Sequence, residues 1–206
     1  MKKLPNVTKK ELLPQMSELK DSDMIKKALV IAAKAHEGQK RDSGASYIEE
    51  HIFYATLLLH ELFSKEEDLE TLAVLALLHD TVEDTKVKIG QIRREFGDEI
   101  ADVLLLLSKN AGEEREAKTP EEKYLLTQNY LARLSENRSA VIIKMVDRIA
   151  NTNCIVDDNV LKKPRKYKRY IKEVRNLYIP LAKKYNFTEI VKILESEIDR
   201  IEKFFY

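Results

Sequence analysis

Apolar residues recur at helical spacing along most of the chain, and in two places an apolar run ends abruptly in carboxylates. The first is Leu72-Ala73-Val74-Leu75-Ala76-Leu77-Leu78, which gives way to His79-Asp80-Thr81-Val82-Glu83-Asp84-Thr85. Two turns rich in Leu and Ala predict a buried helix. Continued as helix, His79 and Glu83 share one face, and so do Asp80 and Asp84. The second run spans residues 139–151. There Lys144, Asp147, Asn151 and Cys154 fall at i, i+3, i+7 and i+10, on one helix face. Ile142, Ile143, Met145, Val146 and Ile149 cover most other directions, so the polar stripe points to a site rather than an ion-paired surface.

The remaining pattern predicts helices throughout. Asp21 or Ser22 caps a helix carrying Ile25, Ala28, Leu29, Ala32, Ala33 and His36, ended by Gly38. His36 extends that apolar stripe and reads as a packed histidine shaping the site from behind. Residues 39–47 form a polar loop with Arg41 and Ser43. His51 opens a helix through Ile52, Ala55, Leu58, Leu59 and Leu62, with His60 off the stripe and assigned to the surface. Short helices follow on Ile89, Ile92 and Phe96, then from Asp98 through Leu107. Residues 111–120 are charged and hold Gly112, marking a candidate lid. Thr119-Pro120-Glu121-Glu122 carries the N-cap, first-turn proline and acidic residues of a helix start, and that helix runs to about Leu134. Residues 161–175 are strongly basic, read first as a solvated helix face and second as a field that draws in a polyanionic ligand. Thr188 caps a last helix along Ile190, Ile193, Leu194, Ile198 and Ile201. The organisation expected is an arm over residues 1–20 and one domain over residues 21–206.

Composition supports the all-α class. Among 206 residues there are only 5 Gly and 5 Pro, and 44% are hydrophobic, enough for a substantial core. The formal net charge of +1 carries no global signature of nucleic-acid binding. The single cysteine, Cys154, excludes an internal disulfide framework and suits a reducing compartment. No apolar run approaches a bilayer span, and the residues after Met1 are polar, so no secretory leader and a cytoplasmic location are expected.

The candidate chemistry gathers at His51, His79, Asp80 and Asp147. Two imidazoles and two carboxylates suit one Mn, Fe or Zn ion. Residue types alone weigh that site evenly against a buried ion-pair network. Glu83 and Asp84, one turn beyond His79 and Asp80, are placed to orient or deprotonate a water, or else to cap a helix and support the histidines.

The order His51, then His79-Asp80, then Asp147 resembles the HD superfamily of metal-dependent phosphohydrolases. Several segments narrow the likeness to the hydrolase domain of RelA/SpoT-type alarmone enzymes. They are Ala35-His36-Glu37-Gly38-Gln39, Arg41-Asp42-Ser43-Gly44, Leu77 through Thr85, Phe96-Gly97, Lys144 through Asn151, and Tyr178-Ile179-Pro180-Leu181-Ala182. The resemblance implies an HD-domain helical bundle with a metal site between helices. It implies one Mn²⁺, or another divalent transition metal, held by His51, His79, Asp80 and Asp147, with Glu83 and Asp84 activating water. It places Arg41 and Ser43 near a guanine, and Lys144, Asn151 and Cys154 along a small-molecule nucleotide. The implied reaction removes the 3′-pyrophosphate of guanosine tetra- or pentaphosphate. Three departures bear on the substrate. Asp42 stands where the family commonly has a basic residue. The Tyr47-to-His51 spacing is one residue longer than the family's, with Ser46 in place of its proline. Cys154 replaces a threonine. They keep open another nucleotide, such as a nucleoside monophosphate or the 2′-phosphate of NADPH, and a non-catalytic nucleotide sensor.

Overall fold

The structure is a computed structural model that describes residues 22–41, 43–108, 116–153 and 157–205, with the side chains of residues 153 and 157–159 outside that description. The expected arm over residues 1–20, Asp42, Cys154 and residues 111–115 of the expected lid lie outside the described residues. Those described are helical and form no strand, the one bridge being an isolated antiparallel pair between Lys40 and Ser46. The chain divides into two compact units, residues 1–108 with 139–150, and residues 109–138 with 151–206.

In the first unit, α1 (Asp23–Ala35) is capped by Ser22, whose hydroxyl accepts from the amides of Met24 and Ile25. That hydroxyl also donates to Glu70 on the helix packed against α1, α3 (Leu69–Leu78). A π-helical turn, Ile48–Phe53, runs into α2 (Tyr54–Phe63), which packs on α3 as well. Every residue of α3 from Leu72 to Leu78 is buried. A helix apolar on all sides has neighbours on all sides, so α3 runs through the centre of this unit. Its C-cap is His79, and the short α4 (Thr81–Asp84) starts after Asp80. The backbone barely departs from helix between them, and the Asp84 amide still donates to the Asp80 carbonyl at 2.9 Å. Helices α5 (Ile89–Phe96) and α6 (Asp98–Leu107) pair with each other across Gly97, whose φ of 88° is left-handed backbone that favours glycine.

Helix α7 (Pro120–Leu134), in the second unit, begins with the expected capping box. The Thr119 side chain accepts from the Glu122 amide, and the Glu122 carboxylate accepts from the Thr119 amide. Helix α8 (Arg138–Asn153) contributes residues 139–150 to the first unit. After α9 (Asp157–Lys162), α10 (Pro164–Glu173) carries the basic run and passes through a second π turn, Val174–Tyr178, into α11 (Ile179–Lys184). The basic run is largely solvated, as expected. Lys162, Lys163, Arg165, Lys166, Lys168, Lys172 and Arg175 are exposed, and Arg175 makes a two-pronged ion pair with Glu202. Helix α12 (Thr188–Glu202) buries Ile190, Leu194, Ile198 and Ile201.

Three local expectations are corrected. Phe187, not Thr188, is the cap of α12, and no side chain accepts from its first turn. His60 is half-buried rather than at the surface, with Nδ1 shielded inside the helix packing. His51 does not open its helix, because the π turn begins at Ile48, three residues earlier.

Candidate metal centre

Four donors converge within the first unit. The π turn delivers His51, the end of α3 delivers His79 and Asp80, and the middle of α8 delivers Asp147. One ligand atom from each lies within 4.8 Å of the others. His51 Nε2 sits 3.0 Å from Asp80 Oδ2 and 3.4 Å from Asp147 Oδ1. His79 Nε2 sits 3.1 Å from Asp80 Oδ2 and 3.7 Å from Asp147 Oδ1, and the two Nε2 atoms are 3.2 Å apart.

The packing explains how these four side chains are oriented towards one another. The buried apolar face of α3 fixes the helix end from which His79 and Asp80 project. His79 Nδ1–H donates to the Ala76 carbonyl at 2.7 Å, which orients the ring and turns Nε2 towards the carboxylates. Asp147 is gripped by Lys144 one turn earlier on α8, with Nζ donating to Oδ2 at 2.7 Å, leaving Oδ1 for the histidines. Side-chain exposure shows where the site opens. It is 1% for His51, 5% for Asp147 and 17% for Asp80, so solvent reaches the cluster on the Asp80 side.

The electrostatics are those of a buried, mutually dependent set. Burial pushes the Asp80 carboxyl up, but the His79 charge and the hydrogen bonds from His51 and His79 outweigh it and hold it well below the usual carboxylate range. Burial acts likewise on Asp147, where the Lys144 ammonium and His79 hold the carboxyl far down. Burial lowers the His79 imidazole, yet Asp80 and Asp147 raise it well above its ordinary value. Without a cation, these carboxylates demand a proton between them and the rings.

The donor set fits a divalent transition metal. Two nitrogens and two oxygens at 3.0–3.7 Å, apart from the wider carboxylate pair, have the spacing of neighbours around one ion with bonds of about 2.1 Å. His51, His79, Asp80 and Asp147 would hold it.

The other expected site residues are placed as follows. Glu83 and Asp84 lie on α4, one turn past the donors, Glu83 half-buried and Asp84 open to solvent. Burial of part of the carboxyl and the neighbouring Asp80 charge raise Asp84 above an ordinary aspartate. Arg41 stacks its guanidinium 5.5 Å from the centre of the Tyr47 ring, while the Ser43 hydroxyl, at the surface, donates to Glu50 at 3.3 Å. Lys144 and Asn151 are half-buried and share a face of α8, two turns apart.

Sequence reasoning missed two residues. Tyr47 donates its hydroxyl to Asp80 Oδ2 at 2.6 Å, and burial together with the Asp80 charge raises the phenol, so it remains a donor. Gln39 takes a hydrogen bond from His36 Nδ1 at 2.7 Å and donates to the Asp84 backbone carbonyl at 3.3 Å. Their spacing carried the signal, Tyr47 standing one helical turn before His51 and Gln39 three residues after His36.

An all-helical domain with two histidines and two aspartates brought together from a helix start, an HD helix end and a third helix defines an HD-type fold. Residues 28–187 match the HD domain family, and the chain belongs to it. It is similar to the guanosine-3′,5′-bis(diphosphate) 3′-pyrophosphohydrolase of Borreliella burgdorferi, 29% identical over 196 residues, covering 95% of this chain and 28% of that protein. The enzyme of that name from Haemophilus influenzae is 29% identical over 167 residues, 81% of this chain and 23% of the relative. A GTP pyrophosphokinase of Streptomyces coelicolor is 33% identical over 175 residues, 83% of this chain and 19% of the relative. The chain thus spans a fifth to somewhat over a quarter of the length of these relatives. Among solved structures, a metazoan ortholog of SpoT described as hydrolyzing ppGpp superposes with a TM-score of 0.55 at 21% identity, covering 88% of this chain and 95% of that one, a likeness of fold. Among the described residues no helix is long and apolar enough to cross a membrane.

Proposed function

We propose that this chain is a manganese-dependent phosphohydrolase that removes the 3′-pyrophosphate of guanosine tetra- and pentaphosphate, giving GDP or GTP and pyrophosphate. The observation that carries the reading is the four-donor cluster with Glu83 and Asp84 one turn further along the same chain segment. The names of two relatives, guanosine-3′,5′-bis(diphosphate) 3′-pyrophosphohydrolases, support this choice of substrate.

His51, His79, Asp80 and Asp147 would hold the ion, which would supply Lewis-acid polarisation to the phosphoryl group and the attacking water. The protein's own groups do the rest. Glu83 takes the proton from the water whose oxygen bonds to phosphorus. Asp84, held above the ordinary aspartate range, is suited to pass a proton on. The bond that breaks joins phosphorus to the ribose 3′ oxygen, which leaves protonated as a hydroxyl. Lys144 holds Asp147 in place and lends positive charge at the rim of the cluster. Arg41, stacked on Tyr47, offers a flat cationic surface to a base. The reading takes a small nucleotide rather than nucleic acid as ligand, in keeping with the near-neutral charge. It takes a reducing cytoplasm as the setting, in keeping with a single cysteine.

The test is metal analysis of the purified protein, followed by manganese and guanosine tetraphosphate with pyrophosphate release as the readout. Release of one pyrophosphate per GDP is expected. Turnover of a different phosphorylated nucleotide in a parallel screen, with none of guanosine tetraphosphate, would reassign the substrate. Tight nucleotide binding by metal-loaded protein without turnover of any nucleotide would make it a sensor.

A further inference from the structure

We infer that His36 is a positioning residue that sets the metal affinity of the centre through Tyr47 and steadies the Glu83–Asp84 turn through Gln39. The inference rests on the metal-centre reading above but not on the identity of the substrate.

His36 is 1% exposed and makes contact in two directions. Its ring stacks on Tyr47, with centroids 5.1 Å apart and planes 26° from parallel. Tyr47 in turn tilts against the His51 ring at 5.0 Å and donates to Asp80 Oδ2, the same oxygen that both histidines face. The tyrosine therefore touches one nitrogen donor and one oxygen donor of the cluster. A phenol hydrogen bond fixes the rotation of a carboxylate, and a fixed carboxylate loses less freedom when an ion binds. His36 is the wall that keeps the phenol ring from swinging away.

The other direction runs through the edge of the His36 ring. The Asp84 carbonyl can only accept, so the Gln39 amide nitrogen faces it and the Gln39 oxygen faces His36. His36 therefore donates from Nδ1. That chain of two hydrogen bonds ties the end of α1 to the end of α4, where the proposed proton acceptors sit. One buried histidine thus holds both the oxygen that binds the ion and the turn that handles the proton, from behind and without touching either reactant.

The two directions can be separated experimentally in the full-length chain. Manganese affinity is measured by calorimetry, the melting temperature in chelator, and backbone amide exchange over residues 80–86 by mass spectrometry. Tyr47→Phe keeps the stack and loses the hydroxyl, and is expected to weaken manganese binding by roughly 10–100-fold, the usual scale for an outer partner of a ligand. His36→Ala should weaken it to a similar extent, although it contacts no donor. His36→Phe, which restores the stacking surface, should recover most of the affinity while leaving amide exchange over residues 80–86 faster than in the parent. Gln39→Ala should speed that exchange and leave the affinity within about twofold. Unchanged manganese affinity in Tyr47→Phe would overturn the inference. So would a His36→Ala protein that melts lower but binds manganese as the parent does, since that is a packing role only. A parent protein that binds manganese and hydrolyses nothing would overturn the proposed activity and leave these affinities to decide the present point. A parent that binds no divalent ion would overturn both.

Discussion

The Nε2 atoms of His51 and His79 lie 3.2 Å apart, both buried, and both face the same oxygen of Asp80. Two imidazole nitrogens that close, with two carboxylates beside them, need positive charge among them. In an ion-binding protein the cation supplies it. His79→Ala or Asp147→Ala is therefore expected to abolish stable metal binding, read as metal content of the purified variants by mass spectrometry. A variant that retained the parent's metal content would place the ion elsewhere.

Glu83 stands apart from the donors, one turn on and half-buried. Glu83→Ala is expected to keep the metal content of the parent while cutting the rate by roughly 10²–10⁴-fold, the contribution of a positioned acid or base. Full activity in this variant would remove Glu83 from the proton transfer.

The titration of His79 gives the metal-free protein a pH signature. Burial lowers its imidazole, but Asp80 and Asp147 raise it above the ordinary value of 6.5. The folded state therefore holds the proton more tightly than the unfolded chain. That contribution is fully present below the unfolded value and is lost as pH rises through the folded one. Asp80 and Asp147 are shifted the other way, so their contribution is present above the ordinary carboxylate range and is lost only as pH falls below about 4. The chelated protein should thus melt at lower temperature as pH is raised from about 6 to about 9, and added manganese should restore the melting temperature at the upper end. A chelated melting temperature independent of pH over that range would show that His79 does not carry the proton.

The capping box of α7 provides a test of the second unit alone. Thr119 accepts from the Glu122 amide at 3.1 Å, and both groups are exposed. Thr119→Ala should cost about 1 kcal/mol of stability in denaturant unfolding. No loss beyond measurement error would mean that water replaces the cap without penalty.

The helices were legible because burial writes itself into periodicity, and α3 and α8 could be placed from their apolar runs alone. The abrupt polar end of the first run located His79 and Asp80, and the carboxylate interrupting the second located Asp147, since nothing but a partner or an ion compensates carboxylates set against Leu and Ile. What the pattern could not convey was contact between side chains distant in sequence. The hydrogen bond from Tyr47 to Asp80 spans 33 residues, and the spacing that puts Tyr47 one turn before His51 does not name that partner. His36 was read as a packed histidine behind the site. The structure agrees with the packing and adds the stack on Tyr47 and the bond to Gln39. The cap at Phe187 was missed because helix ends depend on a few dihedral angles rather than on periodicity.

The π turn at Ile48–Phe53 changes what the segment before His51 constrains. Adding one residue to an α-helix rotates everything after it by about 100°. A turn closed by i→i+5 bonds takes up one more residue than an α turn and so offsets much of that rotation. Here the rings of Tyr47 and His51 touch at 5.0 Å with both aimed at Asp80, across the one extra residue that the resemblance to the family implies. The π turn thus lets both ends of this segment, four positions apart, reach Asp80. A loop residue gained before His51 is thereby absorbed in the backbone of the turn rather than passed on to the donor.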